Sequence, residues 1–285
     1  MKILLILYLS MNIMTSCKQE PNAPEEQKDL PEQTFRDIPY GKDSLQKMDV
    51  YLPANRTAAT TKSLVLIHGG GWTSGSKSEF APYIDSFRNR LPGYAIFNIN
   101  YRLANSGHHF PTQENDVKAA LEFITGKADD YQVSPDNFSL FGFSAGAHLA
   151  LLQAYKCSTP RIKAVVDYFG PTDLMAMYQR PWHPMVPFAL QVITGTTPEK
   201  NKAIYEESSP ANYVSESSPP TLILHGGKDL VVDVSQSKLL AEKLAKHGVK
   251  HELHIYPSEK HGRWYGPSLV SSFDRIEKFL KTHSN

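Results

Sequence analysis

The sequence predicts an α/β fold in which a mostly parallel central sheet is covered by helices on both faces. The first observation is that short apolar runs alternate with helix-like segments along most of the 285 residues. The second is that glycine-rich turns follow two of these runs directly, at 69–71 and at 142–146. Because the alternation is continuous, residues 34–285 are predicted to form a single domain.

The predicted elements follow the apolar runs in chain order. A β-hairpin opens the domain, and the later strands lie almost entirely in apolar, β-branched or aromatic segments. In order, the predicted elements are the hairpin over 34–52, strands at 64–67 and 138–141, an Ala- and Leu-rich helix over 145–155, strands at 164–168 and 221–224, an amphipathic helix over 235–247 and a strand at 252–256.

The most informative motif is Gly142-Phe143-Ser144-Ala145-Gly146, which joins a predicted strand to the helix that follows it. A serine on so tight a strand-to-helix turn exposes its hydroxyl beyond the sheet, and a β-carbon at either flanking glycine would clash. The motif therefore predicts that Ser144 is a catalytic nucleophile. An ordinary strand-to-helix turn is the alternative.

A glycine loop, His68-Gly69-Gly70-Gly71-Trp72, follows the predicted strand at 64–67. Consecutive glycines allow backbone N–H groups to point at one spot without interference from side chains. Together with the N–H of Ala145, such a loop can form an oxyanion hole for acyl transfer. We interpret His68 as an anchor of this loop, and a flexible turn is the alternative for the loop as a whole.

With these motifs, and with His225-Gly226-Gly227-Lys228-Asp229 further along, the sequence from Phe35 onward resembles the α/β-hydrolase superfamily. The glycine loop is similar to that of the lipase and esterase branch, which includes bacterial feruloyl and acetyl esterases. The resemblance implies that the N–H groups of Gly70, Gly71 and Ala145 hold the oxyanion. The reaction it implies needs no metal and no organic cofactor.

A serine nucleophile needs a base to take its proton and a carboxylate to hold that base in the correct tautomer. In this fold the acid and then the base follow the serine along the chain. Asp229 comes just after the predicted strand at 221–224, and His261 lies in the loop after the last predicted strand. They are therefore the predicted acid and base, with Asp173 as the alternative acid.

The segment between the predicted strands at 164–168 and 221–224 is rich in proline, methionine and aromatic residues. In the superfamily, insertions at this position form a small cap over the site, so we predict a cap here. The alternative is that its apolar side chains pack as core. Trp72, Trp182 and Trp264 are the candidate lining residues of the substrate pocket.

The N-terminal residues have the pattern of an export signal. Lys2 precedes an apolar stretch over 3–14, and two small residues lead to Cys17. This resembles the processing site of bacterial lipoproteins, so residues 1–17 are predicted to be a signal peptide ending in a lipidated Cys17. Residues 18–33 are predicted to be a disordered tether. The expected location is a bacterial membrane, on its periplasmic or cell-surface face, and a soluble secreted protein is the alternative.

The formal net charge is +1 without a basic cluster, so the sequence offers no electrostatic support for nucleic-acid binding. The motifs predict a serine carboxylic-ester hydrolase that works through an acyl-enzyme. We expect short-chain or carbohydrate-linked esters as substrates, with acetyl or feruloyl groups on small molecules or oligosaccharides. The alternatives are an arylformamidase-like amide hydrolase, a serine peptidase and a catalytically inactive binding protein.

Overall fold

The computed structural model describes residues 29–284. In this part of the chain, eight strands form one sheet: β1 (Gln33–Pro39), β2 (Lys47–Leu52), β3 (Lys62–Ile67), β4 (Tyr94–Ile99), β5 (Phe138–Phe143), β6 (Ile162–Tyr168), β7 (Thr221–Gly226) and β8 (His251–Tyr256). Their order across the sheet is β1-β2-β4-β3-β5-β6-β7-β8. The β1–β2 and β2–β4 pairs are antiparallel and the others are parallel, which confirms the predicted mostly parallel sheet.

Helices cover both faces of this sheet. Within residues 29–284 the α-helices are α1 (Ile84–Arg90), α2 (Thr112–Gly126), α3 (Ala128–Tyr131), α4 (Ala145–Lys156), α5 (Leu174–Gln179), α6 (Val186–Thr194), α7 (Lys202–Glu207), α8 (Ser235–Lys246) and α9 (Gly266–His283). Two 3₁₀-helices lie at Lys77–Tyr83 and Pro210–Tyr213.

The central strands are buried on both faces, because their apolar runs are continuous rather than alternating. One core lies under α2, α4 and α8, where aliphatic side chains such as Leu149 and Leu240 pack on the sheet. The other core lies under α1, α9 and the first 3₁₀-helix, and it is rich in aromatic rings, among them Phe80, Phe141 and Phe273. The sheet is thus fixed between two independent apolar layers.

The segment predicted as a cap folds into short helices above one end of the sheet. We call residues 169–220 the cap segment; it contains α5, α6, α7 and the second 3₁₀-helix. Asp173 begins α5 by accepting a hydrogen bond from the N–H of Ala176 at 2.8 Å, which is a helix-capping role. Helix capping therefore accounts for the carboxylate of Asp173, which was considered from the sequence as the alternative acid.

The folded domain begins a few residues earlier than predicted. The N–H of Asn55 donates to the carbonyl of Leu30 at 2.8 Å, and Arg56 donates to the carbonyl of Pro31 at 2.6 Å and to the Gln33 side chain. These bonds draw the last residues of the predicted tether into the domain. Cys17 and residues 18–28 lie outside the described residues. No helix within residues 29–284 is long and apolar enough to cross a membrane.

The parallel strands all end at the same edge of the sheet. The glycine loop follows β3, Ser144 follows β5, Asp229 lies three residues after β7 and His261 lies beyond β8. In open α/β sheets this edge is where ligands and reacting groups gather. The topology therefore brings together residues that are far apart in the sequence, with 193 positions between His68 and His261 at the extremes.

Candidate active site

Ser144 occupies a strained turn between β5 and α4. Its φ of 51° and ψ of −116° lie in a region that L residues rarely adopt, at a cost on the order of 1–3 kcal/mol. The flanking glycines make the turn possible. A β-carbon at Gly142 would lie 2.2 Å from the carbonyl carbon of Gly146, and one at Gly146 would lie 2.0 Å from the carbonyl oxygen of Ile67.

The imidazole of His261 bridges Ser144 and Asp229. Its Nε2 lies 2.9 Å from the Ser144 Oγ, and its Nδ1 lies 2.7 Å from the Asp229 Oδ2. Because an ionised carboxylate can only accept, Nδ1 carries the proton and Nε2 accepts from the serine hydroxyl. The structure thus joins the three residues in one hydrogen-bonded chain. The ring of Phe169 packs on the imidazole with centroids 4.5 Å apart.

Asp229 is held as an anion by several donors. Its Oδ1 accepts hydrogen bonds from the N–H groups of Val231 and Val232 at 2.8 and 2.9 Å. Burial alone would raise the pKa of Asp229, but hydrogen bonds from His225 and His261 outweigh it and hold the pKa well below its usual range. A carboxylate in this environment stays ionised and orients the His261 ring.

Two other histidines near the site are structural. The buried His225 donates from Nε2 to the carbonyl of Val232 at 2.9 Å, and its Nδ1 lies 2.7 Å from the Ser237 Oγ. The buried His68 stacks on Tyr101 with ring centroids 4.2 Å apart, and burial lowers its pKa to about 4. His68 therefore remains neutral and anchors the glycine loop.

The glycine loop adopts a backbone that its sequence permits. Gly70 has φ = +94°, Gly71 has φ = +56° and both line the cavity in front of Ser144. The hydroxyl of Tyr101 fixes the start of the loop, since it lies 3.1 Å from the carbonyl oxygens of His68 and Gly69. The N–H of Ala145, the first of α4, has no intrahelical acceptor, as in every helix.

A small cavity opens at Ser144 and His261. Its volume is about 330 Å³, and most of its wall is apolar. The cap segment supplies one side of the cavity through Met177, Val186 and Leu190, and Trp72 lines it at the glycine loop. The remaining lining residues are Gly70, Gly71, Glu79, Phe169, Pro171, Ala189, Val231, Val232 and Gly262.

Two of the three tryptophans predicted for the pocket lie elsewhere. Trp182 lines a neighbouring hollow between α5 and α8, and its Nε1 donates to the carbonyl of Leu230 at 3.3 Å. Trp264 is 2% exposed and packs against Tyr168 and Tyr256 in the aromatic core. The pocket prediction was wrong for both, for different reasons. Trp182 belongs to the cap segment but turns toward α8. Trp264 is close to His261 in sequence but joins the aromatic core on the other face of the sheet.

Two further residues lie beside the site, and of these Glu79 was missed by the sequence analysis. Glu79 lines the cavity and accepts a hydrogen bond from the Gly69 N–H at 2.6 Å. His148, which the sequence places one helical turn after Ser144, is buried, and its Nε2 lies 2.7 Å from the carbonyl of Ser208. The position of His148 one helical turn after Ser144 predicts that it packs near the site, whereas no pattern in the sequence singles out Glu79.

Comparisons with known proteins agree with this fold. Residues 48–244 match the family model BD-FAE. Esterase LipC of Mycobacterium tuberculosis is 26% identical over 221 residues, which are 73% of this chain and 54% of that protein. The acetylxylan esterase of Xylanibacter ruminicola is 24% identical over 234 residues, 79% of this chain and 45% of that one. A solved bifunctional GH43-CE protein of Bacteroides eggerthii is 27% identical, with a TM-score of 0.77 and coverage of 88% of this chain and 35% of its own.

The eight-stranded sheet and the residues at its edge define an α/β-hydrolase. Because the family model covers more than half of its length, the chain belongs to the BD-FAE family. The chain spans about half the length of the curated esterases it matches, with 54%, 51% and 53% of LipC, LipM and LipQ covered.

Proposed function

We propose that this protein is a serine carboxylic-ester hydrolase. The observation that carries the proposal is the bridge from Ser144 through His261 to Asp229, with contacts of 2.9 and 2.7 Å, at the floor of a cavity. This arrangement supplies a nucleophile, a base and an orienting carboxylate within hydrogen-bond reach of each other. Its membership of an esterase family and the esterase names of its relatives support the same reaction.

The reaction proceeds in two acyl transfers. Ser144 Oγ attacks the ester carbonyl carbon while His261 Nε2 takes the hydroxyl proton, and the intermediate collapses when the bond to the alcohol oxygen breaks. His261 gives its proton to that oxygen, so the alcohol leaves and an acyl-serine remains. Water then attacks the acyl carbon while the same imidazole removes its proton. The bond between the acyl carbon and Ser144 Oγ breaks, His261 returns the proton to Oγ, and the carboxylic acid and free Ser144 are released.

The negative charge that develops on the carbonyl oxygen needs donors already in place. We assign this role to the N–H groups of Gly70, Gly71 and Ala145. The two glycines line the cavity beside Ser144, and the Ala145 N–H begins α4. Loss of one such donor typically costs about 3 kcal/mol of transition-state stabilisation.

The cavity favours a small or flat acyl group on a neutral ester. A volume of about 330 Å³ with an apolar wall is at the small end of ligand pockets. Acetyl or feruloyl esters of carbohydrates are our preferred class, because one relative is named an acetylxylan esterase and the family model is BD-FAE. Acetylated xylan and feruloylated oligosaccharide are the substrates that test this choice.

The decisive experiment compares the full chain with its Ser144→Ala variant on 4-nitrophenyl acetate. We expect wild-type turnover, single covalent labelling of Ser144 by a fluorophosphonate, and loss of both in the variant. Asp173→Asn is the matched control, because Asp173 is a carboxylate of the same edge that only caps α5. An unlabelled wild-type protein with no turnover would leave a binding protein as the better assignment.

We further infer that the protein is exported and held at a bacterial membrane by a lipid on Cys17. The support is the sequence pattern of Lys2, the apolar stretch and the cysteine. More than one acyl chain anchors stably, since each buried methylene contributes about 0.8 kcal/mol. Cys17→Ser should abolish radiolabelled palmitate incorporation and release the protein from the membrane fraction. Unchanged membrane association in this variant would contradict the anchor.

A further inference from the structure

Glu79 places a carboxylate at the rim of the cavity in front of Ser144. It lies in the 3₁₀-helix Lys77–Tyr83, which packs on the sheet through the buried Phe80. We propose that Glu79 is a specificity-determining residue, which disfavours substrates carrying a negative charge on their acyl or alcohol part. The inference rests on the proposed ester hydrolysis and names the class of ester that the same site accepts.

The position of the carboxylate is fixed by the glycine loop. The Gly69 N–H donates to Glu79 Oε2 at 2.6 Å. A β-carbon built on Gly69 would lie 3.4 Å from this oxygen and 3.4 Å from the Ser144 Cβ. Glu79 Oε2 and Ser144 Cβ are therefore no more than twice 3.4 Å apart, and a single β-carbon placed between them would contact both.

The surroundings of Glu79 do not neutralise it. Among the described lining residues, His261 is the only other titratable side chain, and none carries a fixed positive charge. Water reaches Glu79. Partial desolvation raises its pKa, while the hydrogen bond from the Gly69 N–H opposes that change. A solvent-accessible carboxylate that accepts a backbone hydrogen bond presents negative charge to whatever enters the cavity.

The consequence for substrates follows from Coulomb repulsion. Two like charges about 6–8 Å apart, at an effective dielectric constant of about 20–40, disfavour each other by about 6-fold to 100-fold in binding and rate. A neutral ester escapes this penalty. The acid product is an anion, so the same repulsion favours its departure.

The test uses two matched ester pairs and measures kcat/KM for each. In the first pair, 4-nitrophenyl butyrate and 4-nitrophenyl hemisuccinate differ by a methyl or a carboxylate at the acyl end. In the second, methyl 4-acetoxybenzoate and 4-acetoxybenzoate differ by a charge on the alcohol. For each pair, the ratio of kcat/KM for the neutral ester to kcat/KM for the anionic ester is calculated. A change at Ser144, at His261 or in the binding of the oxyanion affects both esters of a pair and therefore cancels in this ratio.

Two variants are compared with the full-length wild type. Glu79→Gln removes the charge and keeps an oxygen that can accept from Gly69. Asp85→Asn removes a charge from the adjacent α1, where the Asp85 side chain is 89% exposed, and serves as the control. Equal thermal unfolding midpoints establish that both variants fold.

We expect Glu79→Gln to lower the neutral-to-anionic ratio about tenfold for at least one pair, and Asp85→Asn to change neither ratio by more than twofold. If the wild type hydrolyses both neutral esters and Glu79→Gln leaves both ratios within twofold, this inference is overturned and the hydrolase assignment stands. If the wild type hydrolyses no ester and Ser144 is not labelled, the proposed function itself fails.

Discussion

The indole N–H of Trp72 donates a hydrogen bond to Nδ1 of His148 at 3.2 Å. The other ring nitrogen, Nε2, donates to the carbonyl of Ser208 at 2.7 Å. Trp72 belongs to the glycine loop, His148 to α4 and Ser208 to the cap segment. One buried neutral imidazole therefore links the loop proposed to hold the oxyanion, the helix that follows Ser144 and the cap.

Removing the hydrogen bond between Trp72 and His148 should lower kcat more than removing a buried hydrogen bond in the opposite core does. Trp72→Phe keeps an aromatic ring and leaves Nδ1 of His148 without its donor, at a cost of about 1–3 kcal/mol in the free energy of unfolding. We also expect kcat to fall about tenfold with KM little changed, because the loop loses its fixed position. Urea unfolding and steady-state kinetics measure the two effects.

The control is Tyr94→Phe, which removes a buried hydrogen bond of 3.1 Å to the carbonyl of Leu280, in the opposite core. It should reduce stability and leave kcat within twofold. Equal effects of the two variants on kcat would show that the link has no positioning role.

Replacing Asp229, the proposed acid, should be far more damaging than replacing Asp173, the alternative acid. Asp229→Asn leaves His261 free to adopt the wrong tautomer, and comparable changes in serine hydrolases lower kcat by about 10⁴. Asp173→Asn should retain nearly full activity, since asparagine also caps helices. A rate for Asp229→Asn within tenfold of the wild type would exclude Asp229 as the acid.

The two glycines of the loop should respond differently to alanine. At Gly70 a β-carbon would lie 2.1 Å from the carbonyl oxygen of Ser74, and φ is +94°. At Gly71 nothing lies within 4 Å of the added atom, and its φ of +56° is in the left-handed region that alanine enters at about 1–2 kcal/mol. Gly70→Ala should therefore abolish most activity and lower the melting temperature clearly more than Gly71→Ala does. Similar melting temperatures for the two variants would contradict this geometry.

Stability should fall on mild acidification because of buried neutral histidines. Burial lowers the pKa of His68 and of His148 to about 4, against about 6.5 in an unfolded chain. Between these values the unfolded state binds protons that the folded state excludes, so the free energy of unfolding decreases as pH falls from about 6.5 to 4. Each histidine contributes up to about 3 kcal/mol of this loss.

Urea unfolding at several pH values between 7 and 4.5 checks this expectation. His148→Gln should flatten the pH dependence by about one proton, whereas His247→Gln, at an exposed site, should not. If both variants keep the slope of the wild type, His148 does not titrate as its burial implies.

The residues brought together at the sheet edge were predictable because each follows a strand. Runs of apolar residues locate β5, β7 and β8, and parallel strands must end at one edge, so Ser144, Asp229 and His261 could be placed near each other. Their contact distances depend on loop conformations that the sequence does not specify.

Side-chain direction was much less predictable. Trp264 lies only three residues after His261, yet its ring joins the aromatic core on the far face. Glu79 reaches the cavity from a short 3₁₀-helix ten residues after Gly69, where no periodicity signals its direction. Leu30 and Pro31 join the domain through Asn55 and Arg56, a pairing that local composition does not reveal.

The contact between Gly146 and Ile67 has a consequence for how this enzyme class can diversify. There the start of α4 meets the end of β3 main chain against main chain, with no room for even one added carbon. The spacing between the Ser144 hydroxyl and the amides of the glycine loop is thus set by contacts between main-chain atoms. These atoms are the same whatever side chains are substituted. Met177, Val186 and Leu190 come from a separate stretch of chain, so a change of side chain there reshapes the cavity wall while the spacing of the reactive atoms is inherited intact.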